Sequence, residues 1–265
     1  MNNAQWQAFC CFRDAFKAKC AEWDAAFSDE LMPLQRAAVT PETPPYPIET
    51  AVVYNRALDE LTPQSRITYI VIGDNPGKDE QLSKNNRYLV GRSGKLAEGF
   101  FARNSELATD FRRNVIILNK TPVHTAKTAQ LDTVADTGSE RIRTLLAESQ
   151  QWMAQATATL HRELYDAAVA ANGGDVPRLW LVGYSELKGK GLFQRYRDEL
   201  KAAYLLDDGE TMHAAWNSVY VYRHFSMNQF SSDLKKKRTT IDGTPEPLQQ
   251  ALTRIGLQYK QMIFG

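Results

Sequence analysis

The chain has 265 residues, of which 43% are hydrophobic and 24% charged, and its formal net charge is only +1. These proportions are typical of a folded globular protein and exclude a disordered chain or a strongly basic nucleic-acid-binding tail. Three cysteines are too few for a disulfide framework, and no apolar run approaches the roughly 18 residues of a membrane helix, so we expect a cytoplasmic protein without a signal peptide or membrane span.

The first predicted element is a helix with an aromatic face. Aromatic and cysteine side chains recur at three, four or seven residues between Trp6 and Phe27. This face requires a partner surface, and we expect it to pack on the body of the same chain rather than on an oligomer or a membrane. Pro-rich residues 40–47 follow, too stiff for a helix. Residues 1–48 are therefore predicted to be a helical extension with a link, and residues 49–265 a separate α/β domain.

Beyond the link, short β-rich apolar runs alternate with amphipathic helical runs. Near-continuous apolar strands separated by helices indicate a parallel sheet covered on both faces. The predicted fold is an α/β fold, a three-layer α/β/α sandwich around a central, mainly parallel four-stranded sheet. Strands are predicted at 67–72, 115–118, 179–182 and 218–222, and helices at 93–104, 139–171 (ended by Asn172-Gly173-Gly174), 191–205 and 245–258.

Three of the predicted strands end in polar segments, residues 73–80, 119–124 and 223–228. In an open α/β sheet, ligands bind beyond the carboxyl ends of the strands, so these segments are candidates for a shared site. Neither 73–80 nor 91–95 has the spacing of a Walker A loop, and no Gly-x-Gly-x-x-Gly follows the first strand. Kinase-like and dinucleotide chemistry are therefore disfavoured.

Four short motifs then occur in the chain: Gly73-Asp74-Asn75-Pro76-Gly77, Tyr88 to Leu96, Asn119, and His224-Phe225-Ser226. Their order and spacing resemble those of the uracil-DNA glycosylase superfamily over roughly residues 50–240. The Gly-x-Asn-Pro-Gly pattern is similar to that of the mismatch-specific and single-strand-selective members, in which the Asn positions the attacking water. Val90 to Leu96 and the Asp79-Glu80 pair resemble the iron–sulfur branch instead.

The cysteines that hold the cluster of the iron–sulfur branch are missing from this chain. Lys120-Thr121-Pro122 stands where that branch has a Lys-Cys-Arg-Pro segment, and the N-terminal cysteines have the wrong spacing. We therefore expect no iron–sulfur cluster, no other metal and no cofactor.

The resemblance implies a monomeric DNA glycosylase that removes uracil or a related damaged base from single- or double-stranded DNA in base excision repair. Hydrolysis of the N-glycosidic bond passes through an oxocarbenium-like sugar and an anionic base, so it requires a held water and a hydrogen-bond donor to the base. Asp74 or Asn75 would hold the water, and His224 would donate to the departing base. Asn119 would read the Watson–Crick edge, because its amide both donates and accepts.

Two positions depart from the family's pattern. Leu89 stands where the family usually has a Phe on which the base stacks, and Phe225 stands where it has a Pro. If Tyr88, one residue before Leu89, does not supply the stacking surface, we expect weaker binding of plain uracil. DNA contacts are predicted for the glycine-rich segment and for residues after the last strand, namely Gly91, Arg92, Ser93, Gly94, Lys95, Ser226, Met227, Lys235, Lys236, Lys237 and Arg238.

Each motif alone also fits a structural role, as a turn or a helix cap, and it is their joint occurrence at strand ends that favours a shared pocket. Two other functions are compatible with the sequence: a nucleic-acid or nucleotide binding protein with a degenerate glycosylase pocket, and an enzyme of free nucleosides. The charge distribution favours DNA. Segments 66–103, 112–127 and 223–238 carry net charges of +3, +4 and +4, which predicts a basic face opposite an acidic one.

Overall fold

The central sheet consists of four parallel strands in the order β2-β1-β3-β4. A computed structural model describes residues 1–171, 175–241 and 244–265 of the chain. The prediction of an α/β fold around a four-stranded sheet is confirmed, and the sheet is parallel throughout. The strands are β1 (Tyr69–Gly73), β2 (Val115–Asn119), β3 (Arg178–Val182) and β4 (Val219–Tyr222), and a separate antiparallel pair is formed by β5 (Thr240–Ile241) and β6 (Thr244–Pro245).

Eight α-helices lie within the described part of the chain. The predicted helix at 139–171 begins at Glu140, where the Ser139 side chain accepts a hydrogen bond from the Ile142 N–H; its predicted stop at 172–174 lies outside the described residues. The helices are α1 (Asn3–Ala37), α2 (Arg92–Arg103), α3 (Gln130–Thr137), α4 (Glu140–Ala170), α5 (Tyr184–Leu187), α6 (Gln194–Ala202), α7 (Gln229–Lys237) and α8 (Leu248–Phe264).

Both faces of the sheet are covered. On one face, the Trp180 ring of β3 stacks on Phe101 of α2 and on Phe230 of α7, with ring centroids 5.5 Å and 5.7 Å apart. Leu179 and Leu181 alternate with Trp180, point to the opposite face, and are fully buried as well. The sheet is therefore enclosed on both sides, in agreement with the predicted sandwich.

Helix α1 packs on α4 through its aromatic face. The Phe16 ring stacks on Trp152 at 5.8 Å, and Trp23 meets the same indole edge-on at 6.0 Å. At the other end of α1, the Gln35 amide donates hydrogen bonds to the carbonyl oxygens of Ala51 and His124. The N-terminal helix thus supports the segment that follows β2. None of the helices among the described residues combines the length and apolarity needed to cross a membrane.

Candidate functional site

A cavity of about 310 Å³ opens at the carboxyl ends of the parallel strands. The chain reaches it after β1, after β2 and after β4, as expected for an open α/β sheet. The segment 125–128 after β2 forms part of its wall, together with Gly77 and Glu80. Six of the residues predicted from the sequence line it: Asp74, Asn75, Leu89, Ser93, His224 and Ser226.

Asp74 is held at the cavity by a buried ion pair with Lys120. The Lys120 Nζ atom is 2.5 Å from Asp74 Oδ1 and also donates to the carbonyl oxygens of Gly73 at 3.2 Å and Val182 at 2.6 Å. All three ammonium protons therefore have acceptors. The Lys120 side chain is completely buried, and this burial lowers the pKa of its ammonium group while Asp74 opposes the shift. The ion pair fixes the carboxylate where β1 and β3 end.

The side-chain amide of Asn75 has a fixed orientation. Its Nδ2 donates to Thr125 Oγ1 at 2.8 Å, and the same hydroxyl donates to the carbonyl oxygen of Lys127 at 2.9 Å. Because the nitrogen is engaged with Thr125, the amide oxygen is the atom left to accept. It forms no hydrogen bond with any of the described residues. Asn75 thus presents an acceptor at the cavity, as the positioning of a water requires.

His224 presents a single N–H donor. Its Nδ1 accepts a hydrogen bond from the Ser226 backbone N–H at 3.0 Å and lies 2.8 Å from Ser226 Oγ. Since Nδ1 accepts, the ring proton is on Nε2 in the neutral imidazole. Burial lowers the pKa of His224, whereas the nearby Asp74 carboxylate opposes that shift. A neutral donor is therefore favoured at this position at pH 7.

Two further residues that the sequence did not single out as functional hold the loop after β1. Glu80, which is 6% exposed, accepts a hydrogen bond from the Gly77 N–H at 3.2 Å, and burial raises the pKa of its carboxyl group to about 7. His124 donates from Nδ1 to the Pro76 carbonyl at 2.9 Å and accepts from the Tyr46 hydroxyl at 3.0 Å. Burial lowers the pKa of His124 to about 4. The three-residue spacing of Gly77 and Glu80 is a sequence pattern from which their contact could have been predicted. No sequence pattern predicted the contacts of His124.

The turn that contains Tyr88 and Leu89 does not supply an aromatic surface to the cavity. The Tyr88 ring is fully buried, and its hydroxyl donates to the carbonyl oxygen of Val53. Leu89 lines the cavity with a φ of 52°, and its carbonyl oxygen accepts a hydrogen bond from Arg112 at 2.7 Å. A Cβ on Gly94 would overlap that carbonyl, which explains the glycine at this position. Among the described lining residues, His224 has the only aromatic ring.

Asn119 lies at the end of β2, level with Gly73 in the register, but it is not among the residues that line the cavity. Its side chain is 1% exposed, and its Nδ2 has no hydrogen-bond partner among the described residues. A Cβ on Gly73 would overlap Asn119 Oδ1, so the glycine allows this amide to lie against β1. The structure thus places Asn119 beside the cavity rather than in its wall.

The residues predicted to contact DNA fall into separate groups. Met227 is 81% exposed with a φ of 53°, and Asn228 follows with a φ of 58°, so an apolar side chain projects from a strained turn beside the cavity wall at Ser226. Arg92 and Lys95 are exposed on the first turn of α2, whereas Gly91 and Gly94 pack at its start. The run 235–238 lies at the far end of α7, away from the cavity.

In the described residues, no three His, Cys, Asp or Glu side chains are grouped so as to hold a metal ion.

Comparisons of the chain with protein-family models, with curated proteins and with solved structures gave no match. The geometry of the cavity is therefore the basis for the functional conclusion.

Proposed function

We propose that the protein is a monomeric, cytoplasmic DNA glycosylase that hydrolyses the N-glycosidic bond of uracil or a related damaged base by water attack, in base excision repair. The observation that carries this proposal is that Asp74, Asn75 and His224, from the ends of two different strands, line one cavity of about 310 Å³. This volume lies at the lower end of the range for small-molecule pockets, which suits a single flipped nucleotide.

The three side chains divide the work of the reaction between them. The Asn75 amide oxygen accepts a hydrogen bond from the attacking water, because Thr125 occupies its nitrogen. The Asp74 carboxylate stabilises the positive charge that develops on the sugar. The Nε2–H of His224 donates to the oxygen of the departing base, where negative charge accumulates. Met227, exposed beside the cavity, fills the gap that the flipped nucleotide leaves in the strand.

A second function is favoured by one specific observation. The Tyr88 ring is buried away from the cavity and Leu89 lines it, so a flipped base has no tyrosine or phenylalanine ring in the described wall to stack on. An aromatic platform contributes about 1–3 kcal/mol per base, and its loss weakens binding accordingly. The alternative is a nucleic-acid or nucleotide binding protein that keeps the pocket without efficient turnover.

Base release from defined oligonucleotides tests the proposal. The protein is incubated with single- and double-stranded oligonucleotides that contain uracil, hypoxanthine or xanthine, and abasic sites are then cleaved with alkali. We expect cleavage of at least one substrate, and a loss of rate of about 100-fold or more in Asn75→Ala and in His224→Ala with binding little changed. Binding without cleavage of any substrate supports the alternative, and a nucleoside assay run in parallel identifies an enzyme of free nucleosides.

A further inference from the structure

A second concave surface lies between the far ends of α2 and α7. It has a volume of about 520 Å³ and shares no lining residue with the cavity at the sheet edge. Phe100, Leu234 and Leu248 provide its buried apolar floor. We call it the α2–α7 groove; its remaining lining residues are Arg103, Asn104, Ser231, Lys235, Arg238, Thr239, Thr240 and Pro245.

The α2–α7 groove is cationic. Arg103, Lys235 and Arg238 line it, and no acidic residue does so within the described chain. Arg238 donates from Nε to the carbonyl oxygen of Glu246, a neutral group, so its charge is not compensated there. The carboxylate of Glu246 accepts hydrogen bonds from the backbone N–H and the hydroxyl of Thr239, and its charge is balanced by Arg254, with atoms 2.6 Å apart. Three positive charges thus converge on a concave surface with hydroxyl groups and an apolar floor, which suits a phosphate-bearing ligand.

The α2–α7 groove and the candidate active-site cavity are connected by two helices that run side by side. Ser93 in the first turn of α2 and Ser226 just before α7 both line the cavity, whereas Arg103 and Lys235, at the other ends of these helices, line the groove. The rings of Phe100 and Phe230 hold the helices together at 4.9 Å. At 1.5 Å per residue, Arg103 lies about 15 Å from Ser93 along the axis of α2, a distance that corresponds to about four stacked nucleotides.

We propose that the α2–α7 groove binds the phosphate backbone of the DNA strand whose damaged base enters the cavity, about four nucleotides away from that base. This inference rests on the proposed function. It divides the basic run 235–238 by role: Lys235 and Arg238 face the groove, while the Lys237 ammonium lies 3.8 Å from the centre of the Tyr259 ring. The cavity selects the base, and the groove supplies sequence-independent affinity and sets the path of the strand.

The experiment measures binding rather than base release. A fluorescently labelled 12-nucleotide thymine oligonucleotide is titrated with the wild-type protein and with the triple variant Arg103→Gln/Lys235→Gln/Arg238→Gln at several salt concentrations. We expect at least a tenfold loss of affinity and a logarithmic salt slope that is less steep by about two, because each phosphate contact on a single strand contributes about 0.7. The charge-matched control is Arg36→Gln/Arg141→Gln/Arg143→Gln, three exposed cations of α1 and α4, which should change affinity less than twofold.

Equal losses in the two triple variants, or no loss in the groove variant, would overturn the inference. Displacement of the oligonucleotide from the wild-type protein by an equal concentration of free thymidine monophosphate would also overturn it, since the groove would then be a mononucleotide site. The outcome is separable from that of the proposed function. If the groove variant binds normally while the wild type releases bases, the groove proposal is wrong and the proposed function stands. If the groove variant binds weakly while the wild type releases no base, the glycosylase proposal is wrong and the groove proposal stands.

Discussion

The ammonium group of Lys120 is completely enclosed by protein and lies 2.5 Å from the carboxylate of Asp74, at the point where the central strands end. The same ammonium group also binds the last carbonyl oxygens of β1 and β3, those of Gly73 and Val182. Two adjacent strands and a cavity-lining carboxylate are therefore tied to one buried cation. The lysine determines the position of Asp74 without lining the cavity itself.

Removal of this lysine should destabilise the fold strongly. In Lys120→Met the Asp74 carboxylate loses its counter-ion while remaining 8% exposed, and breaking one side of a buried pair costs about 3–5 kcal/mol. The free energy of unfolding from urea denaturation measures the change. In Lys120→Met/Asp74→Asn, the loss should be at most half as large because no carboxylate remains unpaired. A single variant as stable as the wild type would show that Asp74 does not depend on the lysine.

The backbone of the site was predictable because parallel strands produce a strong signal. Four apolar, β-rich runs separated by helix-length segments predicted the sheet, and the rule that ligands bind at strand ends selected the segments 73–80, 119–124 and 223–228. Within these segments, Asp74, Asn75 and His224 were implied by the resemblance to the uracil-DNA glycosylase superfamily. Helix α7 was not predicted, because it follows directly on the polar segment after β4 and its last turn is the lysine run 235–237. The short pair β5–β6 has two residues per strand, too few for an alternation to be detected.

The contacts within the site could not be predicted, because they depend on side-chain direction rather than on position along the chain. Tyr88 and Leu89 are adjacent in sequence, yet the ring of Tyr88 is buried in the core while Leu89 lines the cavity. The left-handed backbone of Leu89 and its close approach to Gly94 impose this arrangement. The role of Lys120 was equally hidden, since a lysine after a strand ordinarily projects into solvent.

Replacement of Thr125 should show how much the orientation of the Asn75 side chain contributes to base release, because Asn75 itself is retained. Thr125→Val keeps the shape of the side chain but removes the hydroxyl that accepts from Asn75 Nδ2 at 2.8 Å. The amide then keeps only three longer contacts, at 3.4 Å, to the carbonyl oxygens of Pro76, Val123 and Thr125, and its orientation is less firmly held. We expect a base-release rate about tenfold lower and a free energy of unfolding lower by about 1 kcal/mol. Thr125→Ser, which retains the hydroxyl, should stay close to the wild type in both measurements. Full activity in Thr125→Val would contradict an orienting role for this hydrogen bond.

Gly183 should tolerate no side chain, because its backbone has a φ of 93° and a Cβ would overlap Asp74 Oδ1. Gly189 is the matched control: its φ is 56°, but a Cβ there would meet nothing within 4 Å. Gly189→Ala therefore has only the backbone strain of about 1–2 kcal/mol. We expect Gly183→Ala to lose at least a further 2 kcal/mol in urea denaturation and to reduce base release. Equal losses in the two variants would show that Asp74 can move aside.

The stability of the protein should depend on pH through buried groups whose pKa values are shifted in opposite directions. Burial lowers the pKa of His124 and of His161 to about 4, from an ordinary value of 6.5. Below pH 6.5 the unfolded chain binds protons that the folded imidazoles do not, so these residues reduce the free energy of unfolding as the pH falls toward 4. Glu80 acts in the opposite direction: burial raises its pKa from 4.5 to about 7, so the folded state binds the extra proton as the pH falls from 7 to 4.5.

Glu80→Gln should therefore make the acid loss of stability steeper. The amide keeps an acceptor for the Gly77 N–H but cannot bind the proton that partly offsets the histidines. The difference between the unfolding free energies of wild type and variant should grow in favour of the wild type by about 3 kcal/mol between pH 8 and pH 4, following the conversion of 1.36 kcal/mol per pKa unit. Urea denaturation at half-unit pH intervals measures this difference. A difference that stays constant across the range would mean that Glu80 titrates alike in the folded and unfolded chains, and that its carboxylate is ionised at the cavity at pH 7.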